Sequence, residues 1–323
     1  MRRAAPLSTR RRIIRHLVAA GVSSLVALSA LVLSYAGIHQ QAERMRTTLA
    51  PSVQGVASTR VSLYQSWNEA RRGELDGVGY RSPLLVAEQT LADVRGRQIA
   101  GAQGRSGLES VNGIRNTYKS ALDDAHGRFA DNPGMRTVAM DDAEDSLFRR
   151  GEGVFPRLDE VQREQLETVD REVDGGPSRR AGWLLAELSL LFLAAVLLSA
   201  HLMLRRRCGR RHNVPLSAAL LLTALLAAFP LYWDRETYDA LDAARDRLHA
   251  MDAEVTKART DIGLATARVT VVNTSRDVLT EIDSTGGRAA LAGWIALAAA
   301  LTVALPAGAL GFRLWRDYEG GVR

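Results

Sequence analysis

The sequence predicts an all-α fold of four transmembrane helices, an extracytoplasmic up-and-down four-helix bundle and a second outer helical hairpin. Three observations predict it. The 323 residues are 46% hydrophobic, yet the apolar residues gather in four runs, around 17–38, 183–204, 214–232 and 289–312, and the chain between them is highly charged. Each run can cross a hydrocarbon core of about 30 Å as a helix rising about 1.5 Å per residue. Three short pieces outside the runs carry 14 arginines against only two acids, and the long links carry apolar residues at helical spacing broken by glycine and proline. These features exclude a soluble globular enzyme, a disulfide scaffold and a β-barrel porin.

The chain opens with a cytoplasmic Arg-rich tail at 1–16, holding Arg2, Arg3, Arg10, Arg11, Arg12 and Arg15 and no acid, followed by transmembrane helix 1 at 17–38. Thr9 to Arg15 ahead of an apolar stretch loosely resembles a twin-arginine export signal, with Ser34 to Ala36 as a small-residue cleavage site. An apolar core of about 20 residues exceeds the usual 7 to 15 of a signal peptide, and three more runs follow, so an uncleaved anchor is expected.

The outer segment 39–182 breaks at turn residues into four helical pieces. The first runs from about His39 to Leu75, with Pro51 as a kink and Val53, Val56, Leu63, Trp67 and Ala70 on one face. A turn at Asp76 to Arg81 leads to a second piece carrying Leu84, Ala87, Leu91 and Val94. A third carries Val111, Ile114, Tyr118, Leu122, Ala125 and Phe129 and stops at Asn132-Pro-Gly134. The fourth begins near Met135, is interrupted at Gly151 to Pro156, and resumes through Leu158, Val161 and Leu166 toward transmembrane helix 2 at 183–204. The order places Tyr80 and Arg81 at a membrane-distal turn, and aromatic and arginine side chains dominate interfaces, so they are the candidate outer partner-binding residues.

A cytoplasmic loop at 205–213 follows, with Arg205, Arg206, Arg207, Arg210 and Arg211 as the candidate inner partner-binding surface, then transmembrane helix 3 at 214–232. In the outer hairpin, 233–288, Leu241, Leu248, Val255, Ile262 and Val269 recur every seven positions, with Ala244, Met251, Ala258, Ala265 and Val272 at the complementary spacing. That is a coiled-coil seam, yet the chain must return to the membrane, and Gly263 places the hairpin turn at Thr260 to Gly263. Transmembrane helix 4 at 289–312 carries a small residue at every fourth position, Ala292, Ala296, Ala300, Ala304 and Gly308, a candidate face for close approach and transmission. A cytoplasmic tail at 313–323 ends the chain.

The tails and the 205–213 loop hold 14 of the 42 basic residues and 2 of the 36 acids. This positive-inside asymmetry predicts a multi-pass protein of the bacterial cell (plasma) membrane with both termini cytoplasmic. The net charge of +6 is thereby assigned to membrane orientation, so membrane lipid is an expected partner and nucleic acid is not. Cys208 is the one cysteine, which precludes an internal disulfide. No phosphate loop, HExxH site, GxSxG elbow or CxxC pair is present, the six histidines are scattered, and Asp141, Asp142, Glu144 and Asp145 lack EF-hand spacing. The expectation is a protein that is not an enzyme and carries no metal or cofactor.

Gly73-Glu-Leu-Asp-Gly-Val-Gly-Tyr80, Ala87-Glu-Gln-Thr-Leu91, Gly104-Arg-Ser-Gly-Leu108, Tyr118 and Leu158-Asp159, together with the four-span order, carry a resemblance over about residues 40 to 200. They resemble actinobacterial four-span membrane signalling proteins, typified by the transmembrane component (GlnX-like) of the mycobacterial glutamine and aspartate sensing system, which is linked to a Ser/Thr kinase. The resemblance implies a relay: an amino-acid-binding lipoprotein, an extracytoplasmic solute-binding protein, docks outside, and a soluble Ser/Thr protein kinase or other output protein answers inside. Chemoreceptor-type sensors are similar in architecture but carry a long cytoplasmic domain, whereas no inner piece here exceeds about 16 residues. The expected function is a non-enzymatic membrane sensor or relay; the alternative is an accessory or scaffolding subunit of a transporter or cell-envelope complex.

Overall fold

The computed structural model describes residues 7–72, 79–97, 102–208, 214–258, 261–286 and, in the last apolar run, 297, 298, 300–302, 304 and 308. Among these residues every regular element is helical and no strand occurs. The elements are α1 (Leu7–Arg44), a π-helical turn (Met45–Leu49), α2 (Ala50–Arg72), α3 (Arg81–Gly96), α4 (Ala102–Asp123) with a second π-turn (Asp124–Arg128), α5 (Pro133–Phe148), α6 (Val154–Asp174), α7 (Gly176–Cys208), α8 (Val214–Lys257) and α9 (Asp261–Gly286). They divide into two units. The first takes Met1–Gln40, Gly175–Tyr238 and Thr285–Arg323, and the second takes Gln41–Asp174 and Asp239–Ser284.

In the first unit, Ala20, Leu193, Leu197 and Ala219 form one small core, and Ala27, Leu31, Leu190 and Leu226 form another. Its buried hydroxyls satisfy themselves locally: Ser23 donates to the Ala19 carbonyl at 2.7 Å, and Thr223 to that of Ala219 at 2.8 Å. Leu25, Leu33, Leu188, Leu191, Phe192 and Leu221 lie exposed, a surface suited to hydrocarbon. Among the described residues two helical stretches are long and apolar enough to cross a membrane, Ile14–Arg72 and Ala181–Met203, and Ser217–Ala228 is a shorter apolar helix.

The second unit is built around α2, and here the structure departs from the single buried face expected of it. Beside Val53, Val56, Leu63, Trp67 and Ala70, the polar Ser52, Gln54, Thr59, Arg60, Ser62 and Ser66 are also buried. A helix enclosed on all sides has neighbours on all sides. α3 lies against Gly55, where a Cβ would fall inside the Val94 side chain. Gln162 of α6 donates to the Val53 carbonyl at 3.3 Å, and α8 supplies an acid to Arg60. Gly55→Leu is therefore expected to overpack this approach and cost about 1–3 kcal/mol in thermal unfolding of the purified protein; Gly113→Leu, a glycine with open space around it, is the control.

Pro51 follows a π-helical turn that separates α1 from α2. Its missing N–H leaves the Thr47 carbonyl without an i+4 donor, and the turn before it widens to π form, the Ala50 N–H bonding back to the Met45 carbonyl. The guanidinium of Arg97 donates to that Thr47 carbonyl at 2.9 Å.

The buried faces of α3 (Leu84, Ala87, Leu91, Val94) and α4 (Val111, Tyr118, Leu122) are those the periodicity predicts, with Ile114 and Phe129 half-buried. The Asn132-Pro-Gly stop doubles as the start of α5: Pro133 takes its first turn, and the Asn132 side chain accepts from the Met135 N–H at 3.2 Å. The predicted interruption of the fourth piece is a complete break. Arg149 leaves helical geometry, Gly151 sits at φ 77°, and a Cβ at Gly153 would meet the Leu147 carbonyl at 2.7 Å. α5 and α6 are thus separate helices, and the corner between them is filled by Phe155, stacked on Tyr64 at 4.0 Å and on Phe148 at 5.0 Å. Gly175, at φ 64°, separates α6 from α7, where the sequence suggested one helix continuing toward the membrane.

The pair α8 and α9 corrects the heptad reading. α8 ends at Lys257, so the reversal precedes the expected site and Gly263 lies inside α9. The first arm buries the predicted seam of Leu241, Ala244, Leu248, Met251, Val255 and Ala258. The second buries Leu264, Ala267, Val271, Thr274, Val278 and Ile282, leaving Val269 and Val272 at 58% and 59% exposure. Ala265 is exposed as well, and the side chain of Ile262 lies outside the described residues. A reversal of the chain resets which face of the second arm meets the core, so one uninterrupted heptad cannot serve both arms.

Candidate coupling site at Arg60

Arg60 lies on α2 at the spacing of its apolar stripe, four residues after Val56 and three before Leu63, and is 3% exposed. Its guanidinium reaches two other helices. One terminal nitrogen donates to Asp252 Oδ1 on α8 at 2.6 Å; the other pairs with Asp159 Oδ1 on α6 at 2.8 Å and donates to Thr256 Oγ1 on α8 at 3.1 Å. Asp252 and Thr256 share one face of α8 because they are one turn apart. A fixed planar fork with donors on both sides suits a three-helix clamp better than a lysine ammonium does. Burial of the charge is tolerated because two carboxylates and a hydroxyl surround it, at a desolvation cost that only good geometry offsets.

A polar layer extends from the clamp. Gln165 Nε2 donates to Ser52 Oγ at 3.4 Å, and Gln162 bonds the Val53 carbonyl. Among the described residues Arg60 Nε, Gln54 Nε2 and the side-chain carbonyls of Gln162 and Gln165 are buried with no protein partner. Such groups are ordinarily met by internal water. Elsewhere on α8, rim contacts tie it to α6 and α9: the His249 ring meets Asp170 at 3.0 Å, and Arg245 pairs with Asp174 at 3.6 Å and Arg247 with Glu281 of α9 at 2.8 Å.

The predicted outer anchors are placed differently from each other. Tyr80 is 2% exposed, a core residue rather than a surface one, because its ring stacks on His126 at 5.3 Å and its hydroxyl donates to Asp123 Oδ1 at 2.8 Å. Burial pushes its phenol up from the usual value. Arg81 stays exposed, paired with Asp123 at 3.1 Å, its guanidinium 5.8 Å from the Tyr80 ring. Tyr118, buried beneath this corner, shares a hydrogen bond with Ser66 at 3.1 Å and is raised by the same desolvation.

His126 is held below the ordinary histidine value of 6.5, chiefly by burial and then by the nearby Arg136, against a backbone hydrogen bond at Ala70. The unfolded chain therefore takes up this proton first as the pH falls. The stability contributed by neutral His126 is complete above pH 6.5 and is lost as the pH drops through the lowered native value. His126→Gln is expected to flatten the dependence of unfolding temperature on pH below 6.5.

The side chains of Arg205, Arg206 and Arg207, which lie in α7, fall outside the described residues, as do Arg210 and Arg211. Of the proposed transmission stripe, Ala292 and Ala296 fall outside them. Ala300, Ala304 and Gly308 are helical and exposed, and the packed face of that run is instead Ala298 and Thr302. The three described members of the stripe are thus not packed within this chain. Glu187 is half-buried in α7. Asp141, Asp142, Glu144 and Asp145 line the exposed side of α5, where Asp145 pairs with Arg149 at 2.7 Å, and no group of three or more metal-ligating side chains occurs among the described residues. Comparison with protein-family models, curated proteins and solved structures finds no match to this chain.

Proposed function

We propose that this chain is a non-enzymatic membrane sensor and relay, multi-pass in the bacterial cell membrane with both termini cytoplasmic. It receives a signal on its outer helices and passes it to a separate cytoplasmic protein, such as a Ser/Thr kinase. The observation that carries this reading is the Arg60 clamp, which ties α2 to α6 and α8. α2 follows the apolar α1 through one π-turn, and α8 begins in an apolar run and ends beside the clamp. A displacement of α6 or α8 is felt by α2, and a helix is stiff along its axis, so it can carry a shift to an apolar segment. The π-turn at Met45–Leu49, braced by Arg97, is the place where such a shift can be absorbed or passed on. Arginine asymmetry supports the orientation, and the resemblance of residues 40 to 200 supports an amino-acid-binding lipoprotein outside and a kinase inside as the partners.

Two measurements test the reading. Cysteines introduced by Ser106→Cys and Asn273→Cys are expected to react with an impermeant thiol reagent in intact cells, while native Cys208 does not; labelling of Cys208 alone inverts the topology and overturns the relay. Crosslinking in intact cells followed by mass spectrometry is expected to recover a solute-binding lipoprotein and a cytoplasmic signalling protein. Recovery of a permease instead makes the chain an accessory subunit.

A further inference from the structure

α9 carries two apolar stripes, and the core of its unit takes up one of them. Leu264, Ala267, Val271 and Val278 face inward. Ala265 and Val272, each about 100° round the helix from a buried neighbour, stand exposed with Val269 between them, and Leu279 is half-buried one heptad after Val272. Spacings of four and three are those of a coiled-coil seam. The patch continues onto α3, whose exposed Val86 lines the same cleft as Val272. Away from the membrane runs, an exposed stripe of this period is a surface for another helix.

The polar residues around the stripe fit a second copy of the same helix. In heptad terms Ala265 and Val272 are d positions, and Val269 and Arg276 are a positions. The seam is flanked by Thr266, Asn273 and Thr280 at e and by Arg268 and Ser275 at g. A parallel copy therefore sets Arg268 against Asn273 and Ser275 against Thr280, with no like charges opposed. Arg276 is the one charge in the seam between Ala265 and Leu279. It is exposed, its long stem lets the guanidinium leave the seam for water, and a single polar a residue is a device that fixes two strands in one register. The cleft beside the stripe holds Arg268 and Glu69, neither with an ionic partner among the described residues, so the face carries both signs and meets its own image without net repulsion.

We propose that α9 pairs with α9 of a second copy of this chain, as a parallel two-stranded coiled coil about a two-fold axis, with Ala265, Val269 and Val272 in the seam. The parallel direction rests on the membrane reading above, because two copies anchored in one membrane carry the helix the same way. The exposed stripe does not depend on that reading.

Disulfide trapping in native membranes, on a Cys208→Ser background, tests the pairing. Ala265→Cys and Val272→Cys are each expected to give a product of twice the chain mass on mild oxidation, and Asp277→Cys, exposed but outside the seam, at least about tenfold less. Val269→Asp combined with Val272→Asp is expected to raise the dissociation constant of the purified pair at least about tenfold in light scattering, with helical circular dichroism unchanged because both positions are exposed. Absence of both disulfides, equal trapping at Asp277, or a dimer that survives the double variant overturns the pairing. Trapping at only one of the two seam positions marks a crossing or antiparallel contact and overturns the parallel coil. A photocrosslinking residue in place of Val269 is expected to give the same doubled mass in cells; a product of another mass gives the face to a different protein and overturns the second copy. Thiol labelling of the topology is unaffected by any of these results, so the two readings fail separately.

Discussion

Replacing Arg60 with alanine is expected to destabilise the second unit by about 3 kcal/mol, at the lower edge of the range for breaking a buried ion pair. The side chain is 3% exposed and its two acids are 52% and 28% exposed, so Asp159 can recover water when the guanidinium leaves, while Asp252 recovers less. The loss also removes a side chain that bonds α2, α6 and α8 together. Helical circular dichroism followed with temperature measures the first effect. A double-mutant cycle with Asp252→Ala separates the charge from the packing, a coupling above about 1 kcal/mol being expected. A coupling near zero would mean that the arginine stem alone holds the helices, and the clamp would lose its place in the relay. Raising the salt concentration should leave the Arg60 coupling nearly unchanged and weaken the rim pair of Arg247 and Glu281, because exposed charges are screened and buried ones are not.

Phe155→Ala is expected to cost about 3–5 kcal/mol, a loss at least as large as that of the arginine. Phe155 is buried one residue into α6, stacked on Tyr64 at 4.0 Å and on Phe148 at 5.0 Å. Trp67 extends the cluster, its ring 6.1 Å from that of Phe148. The cluster fills the corner where Gly151 and Gly153 turn the chain from α5 into α6, and its rings come from three helices, so collapse into the cavity would need all three to move. Phe155→Leu, which keeps most of the volume, should cost less than half as much. Denaturant unfolding of the purified chain measures both. Equal losses would show that stacking rather than volume holds the corner.

Lengths and local periods are legible in the sequence by itself. Two of the four apolar runs lie in the stretches that, among the described residues, are long enough to span a membrane, and spacings of three and four mark the buried faces of α3 and α4. Both are properties of one segment at a time, because a helix exposes the same residues on one face whatever lies opposite. The Asn132-Pro-Gly stop is legible for the same reason, since its meaning lies in proline's missing donor and asparagine's short acceptor.

Tertiary structure decides which faces are covered. α2 reads as a helix with one apolar face, and only the arrival of α3, α6 and α8 from different directions makes its polar residues internal. Arg60 stands out in the sequence only as a charge at stripe spacing; its acids lie 99 and 192 residues farther along the chain, and no local pattern joins them. Tyr80 has the composition of an interface residue and becomes core because Asp123 and His126 of the α4 end meet it. The register of α9 is decided in the same way. Its sequence offers two apolar stripes, and the reversal after Ala258 turns Leu264, Ala267 and Val271 inward and leaves Val269 and Val272 outside. Propensity and periodicity act within a helix, while burial depends on what the rest of the chain brings against it.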